Sequence, residues 1–153
     1  MFGTVTNKKI ALFGFSFKAN TNDTRESPAI NICKDLLEEG AVLFIHDPKV
    51  DKKQIAKDLS KKENKSLLNI SLNDISIFEG EWCGIEDIIN SSEGADAIIV
   101  LTEWEDYSRI DWEEISLRMR KPSWIFDARS IIFPSQVIKH ELNLWRIGDG
   151  FNY

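Results

Sequence analysis

The stretch GFSFKANTNDTRESPA, Gly14 to Ala29, places a lysine and an arginine, Lys18 and Arg25, on either side of the polar run ANTND. An ammonium and a forked guanidinium at that spacing suit an anionic or polyhydroxylated ligand, and the guanidinium can make bidentate, charge-assisted bonds. Arg25 could equally be neutralised by Asp23 or Glu26 at the start of a helix, and the residues alone leave both readings open. The stretch lies between an apolar run and a helical pattern, where a nucleotide-binding protein keeps its phosphate loop. It does not carry that loop's sequence. GxGxxG needs a second glycine for close approach to a pyrophosphate and a third for helix packing, whereas Ser16 and Ala19 stand at those offsets from Gly14. Asp47, which an acid-to-ribose reading would use, is then a turn residue before Pro48. A phosphoacceptor domain would place acidic residues directly after the first strand, and Phe15, Ser16 and Phe17 occupy those positions.

Nucleophiles and metal ligands are scarce. Cys33 and Cys83 form no CxxC pair and no ligand cluster with His46 and His140, so no metal site is expected. Cys33 falls on the apolar face of a helical pattern, where a buried, unreactive thiol is expected, and Cys83 in EWCGIED has no nearby base.

The elements that must position Lys18 and Arg25 follow from hydrophobic periodicity. KKIALFGF has the continuous apolar centre of a strand buried on both faces. Ala29, Ile32, Cys33 and Leu36 share one face of a helix, which Ser27 and Pro28 begin and Gly40 ends. AVLFIHDP is the second strand. From Lys49 to Lys65 seven lysines are mixed with Asp51, Asp58 and Glu63, which reads as a solvated helix or excursion. SLLNISL is expected to be the third strand and GIEDIINSSEG a helix ending near Gly94. ADAIIVLT is the fourth strand, IDWEEISLRM a helix buried through Trp112, Ile115 and Met119, SWIFDA the fifth strand and LNLWRIG the last. Strands alternating with helices imply an α/β fold, a doubly wound and mainly parallel sheet with helices on both faces in three layers. Ligands of such a sheet sit beyond the carboxyl ends of its strands. The shortlist is therefore Phe15 to Arg25, His46 and Asp47, Thr102 to Trp104, and Asp127 to Arg129.

At 153 residues the chain is long enough for one well-cored domain and too short for two, so residues 1–153 are read as a single domain. Apolar residues make up 42% and charged residues 29%, as in ordinary soluble proteins. A net charge of -6, from 19 basic against 25 acidic side chains, argues against a nucleic-acid partner. No apolar run reaches the roughly 20 residues of a membrane span, and MFGTVTNKKI lacks a signal-peptide core. A cytoplasmic location is expected.

FGTVTNKKIALFGFSFKANTNDTRESPAI, followed in order by HDPKV, ADAIIVLTEW and FDAR, resembles the C-terminal UDP-binding domain of the UDP-glucose/GDP-mannose dehydrogenase family along nearly the whole chain. The resemblance implies a Rossmann-like fold and a nucleotide-sugar-binding role in the NAD-dependent oxidation of UDP-glucose to UDP-glucuronate. It implies that Phe17 and Lys18 touch the UDP-sugar, that Arg129 contacts the substrate, and that Arg25 reaches toward NAD held by another domain. The family often has glycine where Ala128 stands. TEW, Thr102 to Trp104, is a family marker read as mostly structural. The family's NAD-binding domain, its central dimerising segment and its nucleophilic cysteine match nothing here, so no catalytic residue is assigned and the isolated chain is expected to be inactive. Two other readings stand beside this one. A non-catalytic nucleotide-sugar-binding or regulatory module would keep the site without the chemistry, and a self-sufficient NAD oxidoreductase would need the glycine loop and thiol that are missing.

Overall fold

The computed structural model describes residues 3–69 and 79–150. The strands are β1 (Lys9–Phe13), β2 (Val42–His46), β3 (Glu81–Gly84), β4 (Ala97–Val100), β5 (Trp124–Asp127) and β6 (Asn143–Arg146). They form one sheet in the order β3-β2-β1-β4-β5-β6, and every pair is parallel. β1 and β2 are buried at every position, as their unbroken apolar runs require of strands covered on both faces.

Between them runs α1 (Pro28–Glu38), started by Ser27, whose hydroxyl oxygen accepts from the Ala29 N–H at 3.3 Å. Its buried stripe is Ala29, Cys33 and Leu37, with Ile32 and Leu36 as the half-buried flank. Gly40, at φ 84°, closes the helix in the left-handed conformation that glycine adopts without steric cost. The lysine-rich segment forms α2 (Lys52–Leu59), which buries Ile55 and Leu59 and exposes Lys53 and Lys57. α1 and α2 pack on one face of the sheet against Leu12, Leu43 and Ile45. The opposite face carries α4 (Glu105–Ser108), α5 (Trp112–Arg118) and α6 (Pro134–Val137), through Tyr107, Trp112, Ile115 and Val137. Met119, just past α5, joins that core as its spacing predicts. The fold is thus three-layered and doubly wound. Among the described helices none is long and apolar enough to cross a membrane.

Two elements differ from the sequence reading. The third strand is Glu81–Gly84, whereas Lys65–Asn69 is a 3-10 turn that buries Leu67 against Val42, Phe44 and Cys83; residues 70–72 of the expected strand lie outside the described residues. The strand is short, and only Trp82 and Cys83 supply apolar side chains, too few for a period to be seen. Gly80 makes its approach possible, because a Cβ there would lie 2.3 Å from the Leu37 carbonyl oxygen. The expected helix over Gly84 to Gly94 shrinks to α3 (Ile88–Ser91), with Gly84 inside β3 and Asp87 as its cap. The Ser91 and Ser92 hydroxyls donate to the carbonyls of Ile88 and Ile89, in competition with the helical ladder.

Lys9, at the start of β1, is buried with its Nζ donating to the Glu93 carbonyl at 2.7 Å and standing 3.8 Å from the Phe44 ring centre. Burial lowers its pKa to about 8. Between that value and the ordinary lysine value the unfolded chain holds more protons than the folded one, so stability rises with pH across the window. Urea unfolding is expected to show a gain of about 1 to 2 kcal/mol from about pH 8 to about pH 9.5 that Lys9→Met loses. Parallel pH profiles for the two proteins would show instead that the amine is not held against its charged form.

Candidate functional site

The order of strands reverses between β1 and β4, and ligands of such sheets bind beyond the carboxyl ends of the strands at this switch point. Three loops meet there: residues 14–27 after β1, 101–104 after β4 and 128–133 after β5.

Gly14 lets the first loop leave its strand. Its φ is 94°, and a Cβ would lie 2.4 Å from the Thr102 side chain and 2.7 Å from the Thr102 backbone nitrogen. Thr102 then donates its hydroxyl to the Ser16 carbonyl at 2.9 Å, and Ser27 donates to the Phe15 carbonyl at 2.8 Å. Asp47, at the end of β2, holds the same loop from the other side. Its Oδ2 accepts from the Phe15 and Ser16 N–H groups at 2.8 and 3.0 Å and from the Trp104 indole at 3.3 Å, while its Oδ1 accepts from Lys49 and Val50 at 2.9 Å each. These five donors occupy the carboxylate, so Asp47 is the turn residue its place before Pro48 implied. Beside it His46 is buried, its Nδ1 sits 2.9 Å from the Tyr107 hydroxyl, and burial pushes the ring pKa down. The Tyr107 hydroxyl also lies within hydrogen-bond reach of the His46 carbonyl, at 3.1 Å.

With its base pinned, the loop displays Phe17 and Lys18 at its exposed tip, closed by a Phe17 N–H to Asp23 carbonyl bond of 2.8 Å. Among the described residues the Lys18 ammonium has no hydrogen bond or ion pair. Arg25 forks onto Asp23, with Nε to Oδ1 at 3.0 Å and Nη2 to Oδ2 at 2.8 Å, and these hydrogen bonds lower the Asp23 carboxyl to about 2. Of its two possible acidic partners Arg25 therefore takes Asp23, yet its side chain remains 87% exposed.

Arg129 lies at the centre of the three loops. Its Nε donates to the Leu101 carbonyl at 2.8 Å, its Nη2 to the Phe17 carbonyl at 3.2 Å, and Nε also lies 3.3 Å from the Glu103 carboxylate. Buried Asp127 sets the backbone behind it by accepting from the Arg129 N–H at 3.0 Å and the Ile132 N–H at 2.8 Å. Ser130, not Ala128, takes the left-handed conformation, at φ 55°. An alanine at 128 thus costs no backbone strain. The structure joins Arg129 to Phe17, with Lys18 next in the chain, and places Arg25 on Asp23 of the same loop. Glu103 was not singled out by sequence reasoning; only its place in TEW pointed to it.

Two other features bear on the chemistry. Cys33 and Cys83 are fully buried, and desolvation pushes Cys83 up to about 12 and Cys33 further. A disulfide reagent such as DTNB is expected to titrate neither thiol in the native chain and both after unfolding; fast native reaction would show an accessible thiolate. Among the described residues no cluster could hold a metal ion. A groove of about 850 Å³ lies between the carboxyl ends of β2 and β3 and α2, where Lys52, Lys53, Lys62 and Lys65 alternate with Asp51 and Glu63.

A doubly wound parallel α/β sheet with cationic side chains on the loops at its switch point has the architecture of nucleotide-binding folds. Comparison with known proteins narrows it. Residues 11–134 match the UDP binding domain of the UDP-glucose/GDP-mannose dehydrogenase family, and the chain belongs to that family. It is 41% identical over 133 residues to UDP-glucose 6-dehydrogenase 4 of Arabidopsis thaliana, covering 86% of this chain and 28% of the relative. Against UDP-glucose 6-dehydrogenase of Rattus norvegicus the identity is 44% over 133 residues, covering 86% and 25%. The chain thus spans about a quarter of the length of these relatives. The fold also matches a solved UDP-D-ManNAc dehydrogenase from Pyrococcus horikoshii, with a TM-score of 0.65 at 24% identity over 96% of this chain and 27% of that one.

Proposed function

We propose that this chain is the nucleotide-sugar-binding part of an NAD-dependent UDP-glucose 6-dehydrogenase, and that its crevice holds the UDP moiety between Phe17, Lys18 and Arg129. The observation that carries this reading is the Arg129 Nη2 to Phe17 carbonyl bond, which ties residues 112 positions apart into one cationic surface. Among the described residues the Arg129 Nη1 and the Lys18 ammonium make no hydrogen bond, so both have donors to offer a diphosphate. Phe17, 44% exposed beside them, supplies an apolar face.

NAD and the nucleophilic cysteine belong, on this reading, to NAD-binding and central domains outside residues 1–153. Arg25 is the residue offered to that partner, since its side chain stays exposed although Asp23 neutralises it. Substrate oxidation at the sugar would need a thiol able to form an acyl intermediate, and the two buried thiols of this chain are kept protonated. A cytoplasmic setting belongs to the same proposal, because unpaired thiols suit a reducing compartment.

Calorimetry with UDP, UDP-glucose, GDP-mannose and NAD tests the reading. UDP and UDP-glucose are expected to bind with a dissociation constant on the order of 0.1 to 1 mM, since the chain presents only one side of the cleft. NAD should not bind measurably, and UDP-glucose with NAD should yield no NADH. Tight NAD binding, or turnover that survives Cys33→Ala with Cys83→Ala, would overturn it.

A further inference from the structure

We infer that Glu103 is a positioning residue for the nucleotide crevice, acting through Arg129; the inference rests on the nucleotide-binding reading above. The carboxylate spans two loops. Its Oε2 lies 3.3 Å from the Arg129 Nε, and its Oε1 lies 3.5 Å from the Ala19 N–H, just past the exposed tip of the first loop. Arg129 in turn reaches the Phe17 carbonyl. Glu103, Arg129 and residues 17–19 thus close a ring of contacts in which each loop is held by the other two.

An acid at this place is otherwise hard to understand. A carboxylate beside a site for a diphosphate repels the ligand, and half-exposed as it is, Glu103 contributes little as an isolated ion pair. Its geometric effect is larger. Arginine has several flexible torsions, and the two carbonyls hold it by Nε and Nη2 only. Nε gives its one hydrogen to the Leu101 carbonyl, so the carboxylate 3.3 Å away holds the guanidinium there by charge, while its second oxygen holds the Ala19 end of the first loop beside it. Ordering both cations before the ligand arrives reduces the entropy lost on binding.

The sign of one substitution separates this role from plain electrostatics. Glu103→Gln removes a negative charge and on charge alone should tighten UDP binding. A positioning role makes it weaker, by about three- to tenfold. The same substitution in an Arg129→Ala background should have no further weakening effect, because its route to the ligand is gone. A second readout does not involve the ligand: the Arg129 Nε–H resonance, which the bond to the Leu101 carbonyl should keep slow to exchange in the parent chain, should exchange faster in Glu103→Gln as the guanidinium leaves that carbonyl. Equal or tighter UDP binding by Glu103→Gln, or an Arg129 Nε–H resonance that the substitution leaves untouched, would overturn the inference. If the parent chain binds no UDP, the nucleotide reading fails, and the Arg129 resonance still decides whether Glu103 holds the guanidinium.

Discussion

Replacing Asp47 with alanine is expected to lower the unfolding free energy by about 3 to 4 kcal/mol, a large share of the roughly 5 to 15 kcal/mol that holds a domain together. Its carboxylate accepts from five N–H groups, four of them backbone donors split between the loop after β1 and the turn after β2. Phe15 and Ser16 are buried, so their N–H groups would lose an acceptor that water does not readily replace. The Lys49 donor is exposed and costs less. Urea denaturation gives the stability change, and amide exchange at Phe15 and Ser16 should speed up far more than exchange in β4. Asp47→Asn keeps one acceptor oxygen and sets an NH2 group against the other donors, so an intermediate loss is expected. Stability unchanged in Asp47→Ala would mean that Gly14, Thr102 and Ser27 hold the loop without it.

Arg129→Ala is expected to weaken UDP binding by about 1.5 to 3 kcal/mol, or roughly 10- to 150-fold, through loss of a charge-assisted bond. It should also cost about 1 kcal/mol of stability, because the Leu101 carbonyl loses its side-chain donor and Phe17 its tie to the sheet edge. The two losses can be told apart. Arg129→Lys keeps the charge but not the fork, and a single ammonium cannot serve both carbonyls and a ligand at once. It is expected to recover part of the affinity and little of the loop order. Calorimetry alongside thermal melts reads both quantities, and an Arg129→Ala chain that binds UDP normally would remove this arginine from the site.

The sequence reading succeeds where one physical signal dominates. β1, β2 and β4 are unbroken apolar runs because both of their faces are covered, and Ser27, Pro28 and Gly40 mark the ends of α1 by the capping they perform. It fails at β3, where two apolar residues in EWCG suffice because α1 and the 3-10 turn already supply the surrounding core. The SLLN segment is richer in apolar residues but spends them on burying Leu67 from a turn. The pattern over Gly84 to Gly94 overstates single-turn α3 for a related reason, since the Ser91 and Ser92 hydroxyls satisfy carbonyls that a longer helix would use.

For the site, the rule that ligands lie past the carboxyl ends of parallel strands points to the loops that the structure ties together through Asp47, Thr102 and Arg129. The links between them were not legible. Arg129 reaches carbonyls of Leu101 and Phe17, and Asp47 collects mostly backbone N–H groups; every residue but proline carries such a donor, so the partners leave no mark in the side-chain pattern. Arg25 and Asp23 were legible as a pair from their closeness in the chain, and the structure selects Asp23 over Glu26 while leaving the arginine side chain exposed.

A crystal structure of the chain grown with UDP tests the central claim most directly. The expected result is a diphosphate in the crevice between the loops after β1, β4 and β5, within hydrogen-bond reach of the Lys18 ammonium and the Arg129 guanidinium, with Phe17 against the nucleoside. A diphosphate seated instead among Lys52, Lys53, Lys62 and Lys65 in the groove beside α2 would contradict it.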